Sequence, residues 1–263
     1  MKKRRIYQLV ALLLLHSSWG PEFKWLCNPV LSCHSCALSW FACPIGVLVH
    51  YSGYHLFPLV ALGTIVLVGA LVGRLLCGWV CPFGLLQDLL YKIPSRKITL
   101  PAWTSNIKYL VLIFTVMVIP FLLGEQTLYS FCRFCPAAAL QVTLPTVISS
   151  GQIGTAAMIR FSVLFAVVGF VIVASRGFCR VFCPIGAVMS PLNYVSFWIV
   201  KAPREKCLSC KACDKVCSTD VKPSERILNN VPANRALDCI VCHECQTACE
   251  KALAATAGNC AQP

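Results

Sequence analysis

Negative charge is what this 263-residue chain has least of: 10 Asp and Glu stand against 23 Lys and Arg, and only 13% of residues are charged. With 57% hydrophobic residues and a mean hydropathy of +0.71, that shortage excludes an ordinary soluble domain. The apolar residues fall in long runs, as in a membrane protein. Methionine (4) and histidine (5) are also few, so no Met- or His-rich segment offers a dedicated copper site. The net charge of +13 does not point to nucleic acid, because the basic residues cluster at the ends of apolar runs and act as a topology signal. What the chain has in excess is cysteine, 19 in all. Disulfide-stapled proteins are short, loop-rich and not hydrophobic. Here the cysteines fall in CxxC and CxxxC groups, the spacing of metal sites.

Four apolar runs predict four transmembrane helices in an all-α polytopic domain: residues 6–15, 56–76, 107–123 and 153–174. Arg160 sits near the start of the fourth, where a long side chain can snorkel to the interface. The start Lys2, Lys3, Arg4, Arg5 before a short apolar run also fits a signal peptide. The cleavage pattern is poor and Trp19 offers an interfacial anchor, which favours an uncleaved helix. Arg74, Lys92, Arg96, Lys97 and Lys108 flank the second connection, and Arg176, Arg180, Lys201, Arg204 and Lys206 follow the fourth span. The other connections hold only Lys24, Arg133 and Arg160. A multi-pass protein with both termini in the cytoplasm is therefore expected.

Pro203 marks the end of the membrane part. Beyond it, Cys207-x2-Cys210-x2-Cys213-x3-Cys217 is repeated as Cys239-x2-Cys242-x2-Cys245-x3-Cys249. This is the spacing of bacterial two-cluster ferredoxins, in which the fourth cysteine of each run ligates the other cluster. The expected sets are Cys207, Cys210, Cys213 with Cys249, and Cys239, Cys242, Cys245 with Cys217. Proline is missing after each fourth cysteine, where Ser218 and Glu250 stand. Zinc would use one CxxC from each half and leave the other cysteines unexplained. Cys239-x2-Cys242-His243 also matches a haem-attachment pattern, but haem there would remove two ligands from a complete ferredoxin run.

The membrane part holds a second repeat. Cys-Pro occurs at Cys43, Cys81, Cys135 and Cys183, with upstream partners Cys36, Cys77, Cys132 and Cys179. On the expected topology the motifs alternate outside, inside, outside, inside, so that halves of about 1–100 and 101–200 are parallel copies. Proline suits the first turn of a helix, placing each cysteine at a helix N-terminus, whose positive end favours thiolate. Combining the copies predicts one inner [4Fe–4S] cluster on Cys77, Cys81, Cys179 and Cys183. The outer candidates are Cys27, Cys33, Cys36, Cys43, Cys132 and Cys135, four of which would hold a further cluster, with a disulfide as the competing outcome. Buried structural cysteines are the bland alternative for any one pair. Cys260 has no partner pattern. The domain plan is thus 1–202 in the membrane, a small α+β two-cluster ferredoxin domain over 203–250, and a tail over 251–263.

Together the motifs Cys77-Gly-Trp-Val-Cys81-Pro and Cys179-Arg-Val-Phe-Cys183-Pro and the ferredoxin runs resemble the NapH/NosR-type membrane-bound [4Fe–4S] ferredoxins, membrane components of quinol dehydrogenases. The resemblance covers about residues 60–250. It implies electron relay among the cytoplasmic side, the quinone pool and an outer partner, in a prokaryotic inner membrane and within a larger respiratory complex. Quinone is then a second cofactor beside the clusters, and His34, His50, His55, Glu22 and Glu125 are candidate outer-face proton acceptors. The chain departs from the pattern in its 27–43 segment and its Cys132/Cys135 pair. It also has neither a flavin-bearing outer domain nor a long outer domain to dock a reductase. Three readings follow: a relay, a quinol dehydrogenase component proper, or an assembly accessory that reduces copper.

Overall fold

The computed structural model describes residues 2–17, 19–20, 22–33, 35–124, 127–200, 207 and 210–259, without the side chains of 2 and 255–259. The expected boundary at Pro203, the acceptor candidates His34 and Glu125, and Cys260 lie outside the described residues. Two helices are long and apolar enough to cross a membrane, Ala102–Leu123 and Thr155–Val173. Only 17% of each apolar window is buried, so their apolar side chains face outward, the reverse of a soluble core helix. The other two expected spans are shorter. Lys2–Leu15 and Leu59–Val72 have 14 residues each, about 21 Å of helix against a hydrocarbon layer of about 30 Å. The second run breaks at Gly73 (φ +59°) and resumes as the short helix Leu75–Trp79.

Helix Ala102–Leu123 contains Pro120 without a break, because a π-helical segment, Leu112–Val118, precedes it. A wider turn there absorbs the missing proline N–H. Strands Phe23–Cys27 and Phe41–Ala42 pair in parallel through an irregular register, with the Phe23 and Phe41 rings stacked at 5.9 Å. This small sheet corrects the all-α expectation for the membrane half. Its backbone groups pair with each other within a non-helical stretch, which lipid alone would not satisfy.

Four helices begin at the prolines of the Cys-Pro motifs: Pro44–Gly53, Pro82–Leu90, Pro136–Ala138 (continuing through residue 150) and Pro184–Val195. In each the cysteine is the N-cap, with extended backbone. Cys43, Cys81, Cys135 and Cys183 all belong to one buried core, together with Leu31, Phe83, Phe131, Phe178 and Met189. The inner and outer motifs, expected at opposite faces of the membrane half, therefore share one interior. Residues 28–33 contribute to this by folding inward, with Val30, Leu31 and Ser32 buried, while Leu38 further on stays exposed.

The described tail residues form helices Ala212–Lys215, Pro223–Leu228 and Glu244–Asn259 joined by loops. No strand of the expected α+β domain occurs among them; Pro223 opens a helix between the two cysteine runs instead.

Candidate metal centres

The tail cysteines gather into two sets of four. Thiols of Cys217, Cys239, Cys242 and Cys245 interact electrostatically with one another, and those of Cys207, Cys210 and Cys213 with Cys249. Burial pushes the Cys239 thiol up to about 12, although an N–H from Val241 (3.4 Å) opposes the shift. A buried thiol of this kind becomes a ligand only with metal present to displace its proton.

In the membrane half, Cys77, Cys81, Cys179 and Cys183 form a third set. Cys183 lies within electrostatic reach of the other three, and Cys81 of Cys77 and Cys179. One backbone N–H points at a sulfur: Gly186 donates to Cys183 Sγ at 3.4 Å. The Gln87 amide donates to Cys179 Sγ at 2.9 Å. Every described cysteine is a free thiol. Among the described residues no three His, Cys, Asp or Glu groups are placed to hold a single metal ion. What supports a multi-iron core here is the donor type, because thiolate is the ligand such cores take.

Two buried guanidiniums supply the charge that an anionic core needs. Arg74 and Arg176 are each 1% exposed and each crosses to the opposite repeat. Arg176 Nη1 donates to the Cys77 carbonyl at 3.1 Å, and Arg74 Nη2 to the Cys179 carbonyl at 3.5 Å. Each passes close over the glycine of the other half's Cys-Pro-x-Gly: a Cβ on Gly84 would meet Arg176 Nη1 at 2.6 Å, and one on Gly186 would meet Arg74 Nη2 at 3.0 Å. Asp88 holds Arg176 in a bidentate pair (2.7 and 2.6 Å) and also pairs with Arg4 at 2.7 Å. Among the described residues Arg74 has no bidentate carboxylate partner: Asp238 is 3.8 Å away, Nη1 donates to Ser190 and the Leu237 carbonyl, and its buried Nε finds no acceptor there. An anionic core among the four thiols would complete it.

The tail docks directly on this set. Gly78 packs against the second ferredoxin run, where a Cβ would lie 2.3 Å from the Ile240 carbonyl. Trp79 Nε1 donates to the Val241 carbonyl at 3.1 Å. Asn193 reaches the Ala236 and Cys239 carbonyls (2.9 and 2.7 Å) and accepts from the Arg74 N–H (2.9 Å). Lys108 and Ser105 hold Asp238 at 2.6 and 2.7 Å. Burial raises the Asp238 carboxyl, but Lys108, its hydrogen bond and the Ser105 hydroxyl outweigh this and keep it below the usual carboxylate range.

Of the six outer candidates, Cys33, Cys43, Cys132 and Cys135 line one cavity. Cys27 packs with Ala42 and Ala61 in a separate apolar cluster, and Cys36 is buried beside Cys33 but off the cavity. The outer-face acceptors do not gather: His50 packs on Tyr51 and Tyr54, His55 on Phe121, and Glu22 pairs with Lys24. The sequence reading missed Arg74, Arg176, Gln87, Asp88 and Asp238, having taken the arginines for topology signals. The signal was present, because the pattern Arg-x2-Cys-x3-Cys-Pro-x-Gly occurs both at 74–84 and at 176–186.

A family model described as a 4Fe-4S binding domain matches the chain twice, over residues 54–101 and 155–204, once around each of these patterns. An uncharacterised protein of Methanocaldococcus jannaschii is 30% identical over 71% of this chain and 73% of its own length. The ferredoxin-type protein NapH of Escherichia coli is 26% identical over 79% of this chain and 71% of its own length. The regulatory protein NosR of Pseudomonas aeruginosa is 28% identical over 65% of this chain but 23% of its own length. No solved structure matches the chain.

Proposed function

We propose that this chain, a member of the NapH/NosR-type ferredoxin family and an iron–sulfur electron-transfer protein, relays electrons from the two tail sets of cysteines into the set shared by Cys77, Cys81, Cys179 and Cys183. When bound, [4Fe–4S] cores at these sets supply one-electron exchange. One observation carries the reading: the loop of the second ferredoxin run lies against Gly78 and Trp79, between two ligands of the inner set. The protein then works as a multi-pass subunit of a respiratory complex in a prokaryotic inner membrane, with both termini cytoplasmic and redox partners on both sides. The outward apolar faces of the two long helices support the membrane placement.

The test is iron and acid-labile sulfide per chain with EPR of the anaerobically reduced protein. Cys81→Ala and Cys183→Ala should each remove the same signal and leave the tail signals. The double change should add little, because both remove one shared object. Unchanged iron and EPR in both single variants would overturn the inner site.

Quinol as electron donor is a second reading, favoured by an apolar cavity between the first helix and the tail. It is lined by Tyr7, Leu14, Leu75, Trp79, Trp198 and His243, and Trp79 joins it to the inner set. An EPR signal of reduced iron–sulfur protein on anaerobic addition of a quinol would support this, and Trp79→Ala should abolish that reduction.

A further inference from the structure

The cavity lined by Cys33, Cys43, Cys132 and Cys135 shares the basic plan of the inner set. Two thiols come from each half of the chain. One of each pair, Cys43 or Cys135, is the N-cap of a helix opened by proline. Those two helices run 10 residues (Pro44–Gly53) and, through a π-helical segment, from Pro136 to residue 150. The first-turn N–H groups of these helices have no acceptor within their own helix, and the positive helix end faces the capping cysteine. The other pair member, Cys33 or Cys132, comes from the loop or short helix just before. The four thiols lie within mutual electrostatic reach: Cys132 and Cys135 each interact with both Cys43 and Cys33.

The resemblance extends to the cation. Arg160, on the second long helix, donates to the Cys132 carbonyl at 3.5 Å and the Arg133 carbonyl at 3.2 Å. Arg176 and Arg74 do the same to the carbonyls of Cys77 and Cys179. An arginine in an apolar span is costly unless something in the interior uses its charge. Thr143 takes another of its donors at 3.0 Å, but no carboxylate pairs with it among the described residues, and the thiols of Cys33 and Cys132 lie within its electrostatic reach. The Gln141 side chain accepts the Cys33 N–H, fixing the inward loop at the one ligand that no helix holds. The two sets are neighbours, because Leu31 lines the outer cavity and belongs to the same buried core as Cys81 and Cys183.

From this geometry we propose that Cys33, Cys43, Cys132 and Cys135 hold a further [4Fe–4S] cluster, with Arg160 as its counter-cation. Cys27 and Cys36 are not ligands. The all-thiol donor set excludes hard cations, and burial separates Cys43 and Cys135 from oxidants in an outer compartment, with Cys33 and Cys132 half-buried beside them. The proposal rests on the reading of the chain as an iron–sulfur protein. It extends the row of sites by one, beyond the inner set.

The experiment uses the full chain, purified anaerobically, with iron and labile sulfide counted and reduced-state EPR recorded. Cys43→Ala and Cys135→Ala should each lower iron by about a quarter, the share of one cluster in four, while the tail and inner signals persist. Cys27→Ala and Cys36→Ala should leave iron unchanged. If the iron of the wild type accounts for three clusters and neither Cys43→Ala nor Cys135→Ala lowers it, the outer site fails and the relay reading stands. Where the cysteine variants do not accumulate, alkylation of the denatured, unreduced wild type decides. Four labelled peptides carrying these cysteines support the site, and a disulfide between any two of them overturns it. Arg160→Gln supplies an independent check, because it should shift the midpoint potential of one signal downward and leave the others in place. No shift in any signal would remove Arg160 from the proposal.

Discussion

At the scale of single residues, most of the information lies in side chains that bear no sulfur. Asp88 is 9% exposed and faces both Arg4 and Arg176. Breaking a buried pair leaves an uncompensated charge, which costs about 3–5 kcal/mol. Asp88→Ala should therefore lower the unfolding midpoint clearly in thermal melts, and an unchanged midpoint would show that the pair is not closed. Gln87 acts differently, since its amide donates to Cys179 Sγ. Hydrogen bonds to ligand sulfurs favour the reduced, more negative state of a cluster. Gln87→Leu should keep the iron and shift the inner midpoint potential downward by tens of millivolts at order of magnitude. A redox titration followed by EPR reads both quantities.

Among the elements, the four helices that start at Cys-Pro decide the architecture. A proline at the first turn forfeits no helical hydrogen bond, so the chain can begin a helix inside the protein and aim its free N–H groups at a thiol. Two such helices from different repeats bring four thiols together, at the inner set and around the outer cavity. The short helix Leu75–Trp79 carries the other critical contact, because Gly78 leaves room for the Ile240 carbonyl. Gly78→Val should push the tail off the membrane half while every cluster keeps its own ligands. Iron per chain should stay constant and the magnetic coupling between the reduced inner and tail centres should weaken; coupling equal to wild type would refute the direct contact.

Over the whole molecule, the tail is a docked part and not a tethered appendage. Arg235 donates to the carbonyls of Asn193 and Ser196 at 2.7 and 2.9 Å. Arg180 reaches Asp220 at 2.9 Å, and Lys108 reaches Asp238 at 2.6 Å. Asp238→Ala leaves Lys108 buried and unpaired, at a cost of about 3–5 kcal/mol. Limited proteolysis should then release the tail at protease concentrations that leave the wild type intact. The expected topology gives a second global test. A cysteine placed at the exposed Gln152 should react with an impermeant reagent added outside intact cells, and a reporter after Pro263 should behave as cytoplasmic. The converse pattern would invert the orientation.

Local spacing made the candidate thiols legible, because a loop that wraps a cluster must bring its thiols from nearby positions, and CxxC and CxxxCP record that directly. The doubled runs at 207–217 and 239–249, the inner set and the repeat could all be read in one dimension for this reason. Hydropathy likewise showed the long helices Ala102–Leu123 and Thr155–Val173. It overstated Leu59–Val72, because an apolar run does not reveal the turn at Gly73. Three matters had to wait for the tertiary structure. One was which four of six outer cysteines converge, since Cys33 reaches the cavity only by the inward path of residues 28–33. Another was the role of Arg74, Arg176 and Arg160, because a basic residue at the end of an apolar run has the same spelling whether it faces water or a thiol. The last was the contact between Gly78 and Ile240, which are 162 positions apart in the chain. Spacing describes what one segment can wrap; burial and the partners of a charge depend on which segments meet, and only packing determines that.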